Sequence, residues 1–244
     1  MKKIVLAVCG VFLLMGVYAQ VNVTLKINHS LNDNSFSFTQ EATNNQDVKF
    51  NVKRLQYYIS KISIVHDDGT VTPASDVYYL ANANEDVEIE LGEYDITDVE
   101  AINFSVGVNS PENNQDPSKW PISHALYPKT PSMHWGWASG YRFVAMEGYG
   151  GDMLNRKYEI HALGNENYHK ISIPTSATSD SSGLSIEINA DYARAMENID
   201  LSAGLISHGS TNQAAELLRN FRDYVFTNAN GTGNTLSIDV PVLN

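Results

Sequence analysis

The sequence predicts an all-β protein: a two-sheet, β-sandwich-like single domain with one principal helix near the C-terminus. Three observations carry that reading. Short runs rich in β-branched and aromatic residues recur along the chain, turn chemistry separates almost every pair of them, and only one stretch has convincing helical periodicity. A chain of 244 residues is long enough for one large all-β domain with a substantial core. Neither a composition break nor an internal repeat marks a second domain.

The first nineteen residues are read as a leader rather than as part of the fold. Lys2 and Lys3 form a basic start of bacterial type, Ile4 to Val17 is almost unbroken apolar sequence, and Val17-Tyr18-Ala19 places small residues at −3 and −1 of a cleavage site. Cleavage after Ala19 makes residues 1–19 a signal peptide and 20–244 the domain, destined for the periplasm or secretion. The apolar run is short for a span of roughly 20 residues. Cys9, the only cysteine, lies too early for lipid attachment and leaves with the leader. The mature chain then has no disulfide, thiolate ligand or cysteine nucleophile.

The mature chain opens with strict alternation, Val21, Val23, Leu25 and Ile27 against Asn22, Thr24 and Lys26, which is a half-buried strand. Leu55 to His66 is the next strong strand, closed by the turn Asp67-Asp68-Gly69-Thr70. Further strands are expected at 76–80, 86–91, 98–108, 141–147, 157–163, 184–190 and 236–242. The helix is expected over 212–226, where Ala214, Leu217, Leu218, Phe221 and Val225 share a stripe and Thr211 or Asn212 can cap it. A shorter helix is expected over Asp191 to Glu197. Segment 109–134 carries five prolines and reads as an ordered functional loop.

Charge narrows the partners. With 16 Lys+Arg against 28 Asp+Glu the formal charge is −12, and loss of Lys2 and Lys3 would leave −14. Such a field repels nucleic acid and anionic lipid, and a cation is the more natural partner. No nucleophile elbow, H-E-x-x-H, P-loop or dinucleotide fingerprint is present, so nothing argues for an enzyme. What stands out is Met133-His134-Trp135-Gly136-Trp137-Ala138-Ser139-Gly140-Tyr141, which holds two of the three tryptophans. On a regular strand Trp135 and Trp137 would share one side, with His134 on the other.

These residues resemble the MbnP-like copper-binding periplasmic proteins, related to the MopE and CorA copper proteins. The matching segments are Leu55-Gln-Tyr-Tyr-Ile-Ser-Lys-Ile with its Asp68-Gly69 turn, Phe104-Ser-Val-Gly-Val-Asn109, Met133 to Gly148, and Tyr158-Glu-Ile-His-Ala-Leu-Gly164. The W-x-W-x-x-G-Y-x-F-x-x-x-E-G pattern is the most specific. Asn109 departs from the aspartate often found there. The resemblance implies a β-rich fold and a mononuclear copper site of two histidines and a kynurenine made from tryptophan. It also implies a di-haem cytochrome c peroxidase-like partner that performs the oxidation, with this protein as its substrate rather than an enzyme.

Matched onto this sequence, the resemblance makes His29 and His161 the preferred ligand pair, with His208 in reserve and His134 as a further replacement. Either Trp135 or Trp137 is the residue to be oxidised, with Trp135 favoured because Gly136 leaves room beside it. His66, His124 and His169 are expected in turns or loops. A structural calcium near Asp67, Asp68 or the Asn113–Asp116 loop is compatible with either of two functions. The first is copper handling. The alternative is a metal-free β-sandwich that binds glycan or peptide through exposed Trp120, Tyr127 and Trp135.

Overall fold

Alternation at the start of the chain becomes the centre of a sheet. The structure, a computed structural model, describes residues 20–74 and 77–236. In chain order the strands are β1 (Val21–Leu31), β2 (Asn34–Ser35), β3 (Ala42–Thr43), β4 (Lys49–His66), β5 (Val71–Pro73), β6 (Tyr78–Asn82), β7 (Val87–Tyr94) and β8 (Val99–Val106). A long connection leads to β9 (His134–Gly136), β10 (Gly140–Tyr141), β11 (Val144–Gly150), β12 (Arg156–Ala162), β13 (Lys170–Pro174), β14 (Leu184–Asp191) and β15 (Leu205–Gly209). Helix α1 (Asn212–Asn220), a π-helical turn over Phe221–Val225 and the short β16 (Phe226–Thr227) close the described chain. The leader, and the strand expected at 236–242 apart from Leu236, lie outside the described residues.

Two sheets share the core. One runs β16-β14-β1-β2, with β7 also paired to β1; the other runs β13-β8-β4-β11-β12-β15, with β3, β5 and β6 paired to β4. Val23, Leu25 and Ile27 of β1 are buried beside Ile186 and Ile188 of β14 and Val87 and Ile89 of β7. From the larger sheet, Tyr57 of β4 reaches Tyr192, Phe221 and Phe226, and Phe104 of β8 meets Phe226 edge-on. These aromatic contacts join the sheets into one core. The architecture is the all-β sandwich with one C-terminal helix that the sequence predicts.

Tyr57, Tyr58, Ile59 and Ser60 are consecutive and all buried, so β4 is covered on both faces there. The Pro-rich connection covers the outer face: Tyr58 packs edge-on against Tyr141, whose hydroxyl donates to the Leu126 carbonyl. On the inner face, α1 packs against β12 and β15. Thr211 stands at its N-cap without a side-chain capping bond; instead the Ala214 N–H donates to Ser207 Oγ of β15. The predicted stripe of Ala214, Leu217, Leu218, Phe221 and Val225 is buried, although hydrogen-bond spacing widens after Asn220. The helix expected at Asp191–Glu197 is a single 3₁₀ turn, Arg194–Met196. Strands β13 and β15, of five residues each, are not among the strands the sequence predicts.

Candidate metal centre

With α1 covering the inner face, the outer face of β11, β12 and β15 is left for chemistry. Parallel pairing of β12 with β15 sets His161 opposite His208, with Glu159 and Ile206 opposite one another two residues earlier. On the other side of β12, Ala145 faces His161 and Glu147 faces Glu159; Arg54 of β4 in turn faces Glu147. Period-two geometry puts all these side chains on one face. The His161 and His208 rings stack, 4.5 Å between centroids and 8° from parallel. Register alone brings them together.

The hairpin of β9 and β10 lays Trp135 over this pair. Its ring meets His208 at 4.9 Å and His161 at 5.6 Å, both edge-on. The Arg142 guanidinium stands 4.3 Å from the Trp135 ring centre, a cation–π contact that holds the indole from its other side. Trp137 does not share this position. Gly136 has φ of +128°, which breaks the strand alternation, and Trp137 stands 65% exposed in the turn. The expectation that the two tryptophans share one side is thus corrected. His134 does face away from the pair, edge-on to Tyr141 at 4.9 Å, with a buried Nε2 that has no hydrogen-bond partner among the described residues.

The two histidines have different polar surroundings. Glu147 Oε1 accepts from His161 Nε2 at 2.8 Å and from Arg54 Nη1 at 2.7 Å. The bond from His161 first, with Arg54 adding, outweighs partial burial and holds the Glu147 carboxyl down to about 2. Since a carboxylate only accepts, His161 carries a proton on Nε2; its buried Nδ1 has no hydrogen-bond partner among the described residues and is the lone-pair nitrogen of the neutral ring. His208 is held less firmly. Its Nε2 is 3.8 Å from Glu159 Oε2, beyond hydrogen-bond reach. Desolvation, with His161 alongside, lowers its pKa, which favours the neutral, metal-competent ring. Stacked parallel rings do not aim their lone pairs at one point, so joint coordination requires His208 to turn.

His29 is not part of this group, and its expected convergence with His161 is not found. It belongs to β1 in the other sheet, where its ring stacks on Tyr192 at 5.5 Å. Both of its nitrogens are used: Nε2–H donates to the Glu85 carbonyl at 3.1 Å, and Nδ1 accepts from the Tyr192 hydroxyl. A ring so satisfied has no lone pair to offer. His66 bonds Thr72 Oγ1, and His124 stacks on Trp120 at 4.2 Å. Trp120, in that stack, and Tyr127 are both half-buried, whereas Trp135 is exposed.

Among the described residues no three His, Cys, Asp or Glu side chains are arranged to hold a metal. Asp68, Asn113 and Asp116, considered for calcium, accept instead from the backbone N–H groups of Thr70, Tyr141 and Ser118. Glu147 sits inside the tryptophan pattern, yet the sequence reading gives it no role, and Arg54 and Arg142 leave no signal at all.

Residues 20–213 match the protein-family model described as MbnP. The chain belongs to the MbnP family. A solved structure, MbnP from Methylosinus trichosporium, is similar over 79% of this chain and 82% of that chain, with a TM-score of 0.54 at 13% identity. At that identity the MbnP likeness speaks for the fold. No curated protein sequence matches the chain. The MbnP match contains the whole candidate centre, from Arg54 to His208.

Proposed function

We propose that this protein is an exported copper-binding protein whose site is built from His161, His208 and the residue at position 135 after oxidation to kynurenine. The observation that carries the reading is the register-set pair of imidazoles beneath Trp135, one with a buried and unclaimed lone pair. Imidazole suits copper in either oxidation state, and no thiolate is required. Intact indole offers a metal only a π-face and an N–H donor. Opened to kynurenine, the same side chain presents an amine nitrogen and a ketone oxygen. Bound copper would supply a one-electron Cu(I)/Cu(II) couple or a transferable ion.

Opening the indole C2–C3 bond adds two oxygen atoms; two peroxide equivalents supply them and leave as water. Hydrolysis of the resulting formyl group releases formate. The chain itself holds no oxidant, so a partner is required, and a di-haem peroxidase-like protein of the same compartment has the appropriate chemistry. Trp135 is 39% exposed, which gives such a partner access. Export rests on the leader, and no helix among the described residues is long and apolar enough to cross a membrane.

Peptide mass spectrometry and metal analysis of protein purified from its native host test the proposal together. Conversion exchanges one carbon for one oxygen, located to Trp135 by fragmentation, with copper near one equivalent. Intact Trp135 in protein that still binds copper tightly would remove the modification and keep the metal. Protein without copper affinity would remove the metal reading, whatever the state of Trp135.

A further inference from the structure

The outer face carries one group that the copper reading does not use: Glu147, fixed between Arg54 and His161. Arg54 is itself held, its Nε donating to Gln56 Oε1 at 2.9 Å and its Nη2 to the Ser132 carbonyl at 3.3 Å. Glu147 Oε1 therefore occupies a set position, one strand over and one row away from His161, from which it accepts the Nε2 proton. His161 Nδ1 is buried without a partner. A backbone position favours one member of the motif too: a Cβ at Gly148 would sit 2.8 Å from the Tyr158 hydroxyl and closer still to the Asn51 carbonyl, so the residue after Glu147 must be glycine for β11 to lie this close to its neighbours.

We infer that Glu147, braced by Arg54, is a positioning residue that locks His161 in its Nε2–H tautomer and thereby assigns Nδ1 as the metal-donor atom. The donor assignment rests on the copper reading; the tautomer does not. An imidazole has two chemically similar nitrogens, and in water its two neutral tautomers interconvert freely. A fixed carboxylate against one nitrogen removes that freedom before any metal arrives and makes the other nitrogen a better electron donor. His208 has no such brace, which leaves it able to turn as the partner ligand.

Long-range proton–nitrogen NMR of the uniformly nitrogen-15-labelled, metal-free mature protein reads the tautomer directly. A protonated Nε2 and bare Nδ1 at His161 are expected in the wild type. Glu147→Leu should mix the tautomers, and Glu147→Gln, which keeps an acceptor oxygen, should largely restore the wild-type spectrum. Arg54→Met, which touches neither histidine, should shift the same signals by less. Silver(I), added as a stand-in for Cu(I), should show coupling to His161 Nδ1. Copper(I) affinity should fall about 10–100-fold in Glu147→Leu and recover in part in Glu147→Gln. A proton on Nδ1 in the wild type, silver coupling at Nε2, or unchanged copper affinity in folded Glu147→Leu would overturn the inference. The expected tautomer in a protein with no affinity for silver or copper would uphold the lock and overturn the copper reading instead.

Discussion

Two histidines, one on each sheet, show how the same side chain becomes inert in one place and available in another. His29 ends a hydrogen-bonded chain whose direction is fixed throughout. The Glu85 carbonyl accepts from Nε2–H, so Nδ1 accepts from the Tyr192 hydroxyl, which in turn accepts from the Tyr57 hydroxyl, 3.0 Å away. His161 also gives its Nε2 proton to an oxygen, that of Glu147, but its buried Nδ1 has no hydrogen-bond partner among the described residues, and the rings of His208 and Trp135 pack against this imidazole. The difference lies in what faces the second nitrogen. A hydroxyl there closes the site, and a nitrogen without a polar partner keeps its lone pair free in the neutral ring.

The largest expected effect tests that contrast through copper. His161→Ala and His208→Ala should each weaken copper binding by at least about a hundredfold, near 2.7 kcal/mol, because two imidazoles carry most of the site. His29→Ala should leave it within about twofold. Competition titration against a copper(I) chelator measures all three, and a large loss in His29→Ala would break the comparison.

Next comes the hydroxyl that closes the His29 site. Tyr192→Phe strands the half-buried His29 Nδ1 and leaves the fully buried Tyr57 hydroxyl without its acceptor. A cost of about 1–3 kcal/mol in denaturant unfolding is expected, with copper affinity unchanged. A neutral result would mean that the chain does not bear on stability.

A smaller effect follows from protonation. Desolvation, only partly offset by the Glu85 bond and by Asp86, lowers the His29 pKa below 6.5 in the folded state. Between the two values the unfolded chain binds more protons, so the contribution of His29 to stability is complete above about 6.5 and is lost as pH falls below it. Chemical unfolding at pH 7.5 and pH 5.5 should show this decline, and His29→Gln should flatten it. An identical slope in the variant would assign the decline to other groups.

The smallest effect is that of Trp137, exposed in its turn. Trp137→Ala should change stability by no more than about 0.5 kcal/mol and leave copper binding intact, whereas Trp135→Ala should abolish the third donor. Equal losses in both would restore the two tryptophans to a shared role.

Much of this was legible in one dimension. Alternation in Val21–Ile27 and the apolar stripe of α1 depend on neighbours two to four residues apart, so local sequence reveals which face is buried. The tryptophan pattern was legible as a motif, and the structure places Trp135 of that motif against His161 and His208. What failed was distance. His29 was preferred to His208 because the family resemblance put an early histidine there, and nothing local distinguishes a nitrogen that will meet a tyrosine 163 residues away from one that will not. The strand carrying His208 was not among those expected from the sequence.

The sequence by itself determined the fold class, the family resemblance and the residue types able to hold a metal. Only the tertiary structure decided which of them meet. The parallel register of β12 with β15 set His161 opposite His208, and the positive φ of Gly136 separated Trp135 from Trp137. The reason is physical: side-chain period is a property of one strand, whereas pairing register is settled by the burial of whole faces across strands distant in sequence.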